Sequence, residues 1–191
     1  VSTAAGGTAI DRALVETGPA VFSSCRRYRY RLERRWHSRG KVVNFLLLNP
    51  STADESTLDP TLRRCAGYAR LWNYAGMVIT NIFALRSTEP EALYDAPDPV
   101  GPDNDEHIVR AARECALLIV GWGNHGVLRD RGLHVRSLIA PHSPRCLRVS
   151  KLDQPVHPLY LPASASPQAF APAAAPSRGS RTLRTSSTTR D

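Results

Sequence analysis

The sequence predicts an α/β fold in which a mainly parallel sheet is covered by helices on both faces. Three observations carry that expectation. Val42–Leu48, Met77–Phe83 and Leu117–Trp122 are nearly continuous apolar runs of strand length, the mark of strands buried on both faces. Segments with apolar residues at helical spacing lie between them. Polar, turn-forming residues follow each run, so strands and helices alternate along the chain.

Residues 1–19 are rich in Gly, Ala and Thr and read as a loosely ordered lead-in. From Ala20 to Trp36 the pattern alternates, as in Tyr28-Arg29-Tyr30-Arg31-Leu32, which predicts strand. His37-Ser38-Arg39-Gly40 is a turn, so an antiparallel hairpin with the Val42–Leu48 strand is expected. Asp59-Pro60 opens a helix with a capping side chain and Pro at the first helical position. Leu62, Cys65, Ala66, Ala69 and Trp72 form its apolar stripe, and Asn73–Gly76 end it. Thr88 with Glu91 reads as a capping box for a short helix to about Tyr94. Asp103 with Glu106 reads as another, for a helix carrying Ile108, Ala111, Ala112 and Cys115. Residues 127–139 read as a helix through Leu128, Val135, Leu138 and Ile139, and Leu147-Arg148-Val149 as a short last strand. Residues 20–165 thus make a single α/β domain. Residues 166–191, rich in Pro, Ala, Ser and Arg, have little to bury and read as a disordered tail. A frame-shifted reading of a GC-rich gene would have the same composition.

Composition narrows the function classes. No apolar run approaches the length of a membrane span, so no membrane partner is expected. The opening residues lack a basic start followed by an apolar stretch; no signal peptide is expected, and the cytoplasm is the default location. Cys25, Cys65, Cys115 and Cys146 have neither Cys-x-x-Cys nor Cys/His ligand spacing, so reduced thiols are expected, with no metal and no cofactor. A net charge of +8 permits a polyanionic partner such as DNA or a nucleotide. Lys41 and Lys151 are the only lysines, so arginine supplies the other 23 of the 25 basic residues, a skew that a GC-rich genome also produces. Many of these cations fall within residues 26–41, interleaved with Tyr28, Tyr30 and Trp36. A phosphate-binding ribbon built on Arg27, Arg29 and Arg31 is one reading; a solvated hairpin face is the other.

Four polar interruptions are the candidate functional residues. Asn49-Pro50-Ser51-Thr52-Ala53-Asp54 follows the first buried strand. It reads either as a turn that punctuates the strand or as a loop whose Asn49 orients a water and whose Asp54 acts as a base. No Gly-x-Ser-x-Gly elbow surrounds Ser51, which argues against a serine nucleophile. Asn81 stands in or at the end of an apolar strand, where an amide either bonds neighbouring backbone or reads the edge of a nucleobase. Gly121-Trp122-Gly123-Asn124-His125-Gly126 is either a generic turn or a place where backbone approaches a ligand, with Gly123, Asn124 and His125 in contact. His157-Pro158 holds a histidine that is either structural or a donor to a developing anion. In an open α/β sheet the first three tips would meet at the carboxyl ends of the strands, where ligands bind.

Taken in order, these strings resemble a bacterial and phage family known as domain of unknown function 1643. The resemblance runs from about Arg26 to Leu161. Leu48–Asp54 with Asp59-Pro60-Thr61, Thr80–Arg86, Pro99–Asn104, Trp122–Gly126 and His157–Leu161 carry it. A more distant resemblance is to the uracil-DNA glycosylase superfamily, which also has a polar strand-end loop with Pro, a strand-borne Asn, a small-residue turn and a late His-Pro. That resemblance implies a three-layer α/β/α sandwich with a central, mainly parallel sheet and a site at the strand ends. Asn49 would position water, Asn81 would read the base and His157 would face the leaving anion. The chain departs from that superfamily in lacking Asp-Pro-Tyr in the first motif and Ser-Pro after His157-Pro158. The implied function is hydrolysis of an N-glycosidic bond in a nucleic acid or nucleotide. The alternatives are a non-catalytic module that binds a nucleotide or modified base, and a hydrolase of another small molecule.

Overall fold

Val42, Val43, Phe45, Leu46 and Leu47 are all buried, so the strand they form, β3 (Val42–Leu47), needs cover on both faces and a neighbour on each edge. The computed structural model, which describes residues 17–51 and 59–170, supplies both. Around β3 lie β1 (Thr17–Phe22), β2 (Arg29–Arg35), β4 (Gly76–Asn81), β5 (Leu117–Val120), β6 (Arg145–Cys146) and β7 (Gln168–Ala169). They form one seven-stranded sheet in the order β1-β2-β4-β3-β5-β6-β7. The pairs β3–β4, β3–β5 and β5–β6 are parallel, whereas β1–β2, β2–β4 and β6–β7 are antiparallel. The α/β class holds, but the sheet is mixed, which corrects the expectation of a mainly parallel one.

The expected hairpin between β2 and β3 is also corrected, because β4 is inserted between them. The cause lies in the two strands' burial. β2 alternates from Arg31 onward, with Leu32 and Arg34 buried and Arg31, Glu33 and Arg35 only partly so, whereas β3 is buried throughout. The strand with two apolar faces takes the central place. Residues 36–41 therefore cross the start of β4: Trp36 and His37 donate to Ala75 O, and Ala75 N donates to Lys41 O. Gly40, at φ +121°, makes that crossing, and a Cβ there would stand 2.7 Å from Ala75 Cβ.

Helices lie on both faces. The first, α1 (Pro60–Leu71), begins as expected, with Asp59 Oδ1 accepting from Leu62 N at 2.8 Å. Its Leu62, Cys65, Ala66, Tyr68 and Ala69 pack with Val43, Phe45, Leu47, Met77 and Ile79 on one face. A short turn, α2 (Ala92–Asp95), precedes α3 (Asn104–Glu114). Ile108 and Ala112 of α3, with Val135 and Ile139 of α4 (Arg131–Ile139), cover Leu46, Leu118 and Val120 on the other face. Neither expected capping box forms, since the Glu91 and Asp103 side chains make no capping hydrogen bond. The helix expected over 127–139 is broken: Leu128 at ψ 121° and Arg129 at φ 51° separate a 3₁₀ segment, Asn124–Asp130, from α4. The last strand expected at Leu147–Val149 falls instead at Arg145–Cys146, and Val149 makes only an isolated bridge to Pro155. β1 starts inside the stretch read as lead-in, and β7 with buried Phe170 lies inside the stretch read as tail. Residues 1–16 and 171–191 lie outside the described residues. Among the described residues no helix is long and apolar enough to cross a membrane.

Candidate functional site

Chain direction places a crevice at the carboxyl ends of the parallel strands. From β3 the chain passes over one face through α1 to β4, then over the other face through α3 to β5 on the far side of β3. Such a reversal leaves a gap at the strand ends. Here the gap is a cleft of about 530 Å³, a size that holds a small ligand. Leu47, Ile79, Leu62 and Trp122 give it apolar walls, and Asn49, Ser51, Asn81, Gly123, Asn124, His125 and His157 all line it. Pro50 is buried behind the lining and serves the frame, its carbonyl accepting from Ser87 N at 2.9 Å. Asp54 lies outside the described residues.

Asn49 sits two residues beyond β3. Its Nδ2 donates to Ser87 O at 2.8 Å and to Pro50 O at 3.3 Å. Both partners are carbonyls, which fixes the orientation of the amide and leaves Oδ1 as an acceptor. Asn81 is the last residue of β4, opposite Leu47, and is only 3% exposed. Among the described residues its side-chain amide has no hydrogen-bond partner, although its backbone is firmly held. Asn104 Nδ2 donates to both Asn81 O and Ile82 O at 3.0 Å, and Arg131 Nε donates to Ile82 O at 2.7 Å.

The remaining motifs close the opposite wall. Gly123 has φ +74° and donates its N–H to Pro155 O. A Cβ on Gly121 would stand 2.7 Å from Pro158 Cδ, so the glycine turn and the His-Pro segment pack together only because that side chain is missing. Tyr68 Oη donates to Pro162 O at 2.7 Å and Leu161 is buried, which fastens the segment after His157 to α1. Asn124 Oδ1 accepts from Ser150 Oγ at 2.7 Å, and His125 Nδ1 lies 3.2 Å from Tyr94 Oη. His157 Nδ1 accepts from Leu159 N at 3.3 Å, so the neutral ring carries its proton on Nε2. Burial pushes the His157 pKa down to about 4 despite the nearby Asp59 carboxylate. At neutral pH it is a neutral donor.

The three arginines read as one ribbon are separated by the fold. Arg27 is exposed, its guanidinium 5.9 Å from the Tyr28 ring centroid. Arg31 faces α3, pairing with Glu114 at 2.7 Å and Glu33 at 3.2 Å. Arg29, 6% exposed, lines the cleft. The cause is a shift of register: Val21 pairs with Arg31 but Phe22 with Arg29, so Tyr30 is an extra residue. A one-residue bulge reverses the side-chain alternation and re-aims Arg29.

Sequence reasoning missed the cleft position of Arg29, the Ser87 carbonyl under Asn49, and the Asn104 clamp. Asn104 closes one of the strings quoted above, which was the available signal. Asp59, read as a helix cap, also lines the cleft. Among the described residues no group of three or more His, Cys, Asp or Glu is placed to hold a metal ion.

Comparison with known proteins fits this arrangement. A family model described as "Protein of unknown function (DUF1643)" matches residues 29–159, a span holding all the cleft residues discussed so far. No curated protein and no solved structure gave a match. The chain belongs to the DUF1643 family.

Proposed function

We propose that the protein hydrolyses an N-glycosidic bond of a nucleotide or nucleic acid, with a site laid out as in the uracil-DNA glycosylase superfamily and a similar layered fold. The observation that carries this reading is Asn81, a residue only 3% exposed that lines the cleft and whose side-chain amide makes no hydrogen bond among the described residues. An amide at a pocket wall with its donor and its acceptor both unspent matches a ligand offering an acceptor and a donor, each bond worth about 0.5–1.5 kcal/mol. The edge of a nucleobase has that pattern, and Leu47, Ile79 and Trp122 supply apolar surface for its ring.

The chemistry follows from the neighbouring groups. Asn49 Oδ1 accepts a hydrogen bond from the attacking water. As water oxygen bonds to C1′, the C1′–N bond breaks and its electron pair leaves with the base. The neutral His157 donates from Nε2 to the developing anion. The water's proton passes to a carboxylate, either Asp59 at the cleft or Asp54 of the preceding loop.

Base release from lesion-bearing DNA, nucleosides and nucleotides, followed by chromatography, tests the reading. Release is expected from at least one substrate, falling about 10²–10³-fold in Asn49→Ala. Binding without release would leave a non-catalytic binding module. Neither binding nor release would end the reading.

A further inference from the structure

We propose that Asn124 holds the sugar of the ligand, its Nδ2 donating to a sugar hydroxyl oxygen, and that Ser150 aims it. The inference rests on reading the cleft as a nucleobase site and adds the part of the ligand beyond the base. Ser150 and Asn124 both line the cleft, and Ser150 Oγ lies 2.7 Å from Asn124 Oδ1. A serine hydroxyl has one hydrogen to give and two lone pairs to fill. Here Leu152 N and Gln154 N donate to Ser150 Oγ at 3.2 and 3.3 Å, which occupies both lone pairs. The hydroxyl hydrogen is left for Asn124, and the atom that receives it must be the amide oxygen. The orientation of the amide is thereby set, and its Nδ2 keeps both N–H donors unspent among the described residues.

The lock is itself built into the frame. Ser150 N donates to Gln154 O at 2.8 Å and closes the turn. Within it Asp153 stands at φ +54°, held by Arg136 of α4, whose guanidinium donates to Asp153 Oδ2 at 2.6 Å. Gly123 N donates to Pro155 O and Trp122 Nε1 to Gln154 Oε1, so the chain leading into Asn124 is tied to the same segment. Depth then separates the two cleft amides that keep donors. Asn81 is 3% exposed, at the wall that the base would meet, whereas Asn124 is exposed at the mouth. A base seated at Asn81 brings its sugar toward the mouth, and the hydroxyls are the sugar oxygens farthest from the base.

Titration calorimetry with free nucleobases and their carbocyclic 2′-deoxynucleosides tests this. The carbocyclic ring has no glycosidic bond to hydrolyse and keeps the 3′ and 5′ hydroxyls. At least one nucleoside is expected to bind more tightly than its base, and Asn124→Ala should cut that preference about two- to tenfold, the scale of one hydrogen bond. Asn124→Asp should cut it as far, because the carboxylate still accepts from Ser150 but has no N–H to give. Ser150→Ala should cut it in part and, combined with Asn124→Ala, should cut it no further, since Ser150 acts through Asn124. Affinity for the free base should stay the same in every variant. If Ser150→Ala does not fold, Asn124→Asp, a change at an exposed position, decides. A preference that survives Asn124→Asp, an additive double variant, or equal affinity for base and nucleoside overturns the inference and leaves the hydrolase reading standing. Failure of every probe to bind removes both.

Discussion

Two hollows of similar volume lie at opposite ends of this sheet, about 530 Å³ at the carboxyl ends of the parallel strands and about 460 Å³ at their amino ends. The second is lined by Arg31, Arg35, Lys41 and Arg113, and on charge alone it would attract an anion more strongly. Its least exposed cation, however, is engaged: Arg31 pairs with Glu33 and Glu114, and Arg35 pairs with Glu33 at 2.6 Å. In the carboxyl-end cleft, Asn49 is held through its Nδ2 and Asn81 through its backbone carbonyl, and both side chains keep hydrogen-bonding capacity among the described residues. Volume and charge therefore do not mark the candidate site. Polar groups fixed from behind and open in front do.

The largest expected effect lies behind the cleft. Asn104→Ala leaves Asn81 O and Ile82 O short of a donor, although Arg131 still serves Ile82 O, and should cost about 2 kcal/mol in urea unfolding. It should also weaken whichever ligand the cleft binds, because the backbone of Asn81 loses its clamp. Loss of stability with ligand affinity unchanged would mean that Asn104 supports the core alone and would break the comparison at this point.

An intermediate effect separates the two ends by pH. Burial holds His157 neutral in the fold, so the unfolded chain, titrating near 6.5, binds the proton first. Stability from this group is complete above 6.5, and it is lost as pH falls toward about 4. His107, also pulled down by burial, adds in the same direction. At the other end, hydrogen bonding from Arg31 pulls Glu114 below its ordinary 4.5, so its contribution is present above that value and lost as pH falls through the lowered one. Urea unfolding across this range should show His157→Phe flattening the upper limb and Arg31→Met flattening the lower. A His157→Phe profile parallel to wild type would remove the buried-neutral assignment.

The smallest effect is that of Arg31→Met at neutral pH. Its ion pairs are partly exposed, and such pairs contribute about 1 kcal/mol or less. Thermal unfolding should shift little and cleft binding not at all. A loss of cleft binding in Arg31→Met would mean that the two ends of the sheet act together, and the contrast between them would fail.

Much of this arrangement is legible in the chain. The runs at Val42–Leu48, Met77–Phe83 and Leu117–Trp122 do contain β3, β4 and β5, and Asp59-Pro60 does open α1. The polar strings at their ends do line one cleft, because strands that run in parallel bring their carboxyl ends to the same side. Periodicity and capping chemistry are local, and a side chain declares them within a few residues of itself. Kinks and caps are less secure: Leu128 and Arg129 look helical by spacing, yet Arg129 is left-handed and its guanidinium donates to Ala96 O and Pro97 O, more than thirty residues away.

By itself the sequence determined which segments must be buried, where α1 starts and which polar groups stand at the strand ends. The tertiary structure decided the insertion of β4 between β2 and β3, the Asn104 clamp on Asn81, and the side of the sheet that Arg29 faces. The physical reason is that strand pairing and register are choices between distant segments, settled by the burial of whole faces. One extra residue at Tyr30, invisible as a pattern, sends two arginines in the same strand to opposite faces of the sheet.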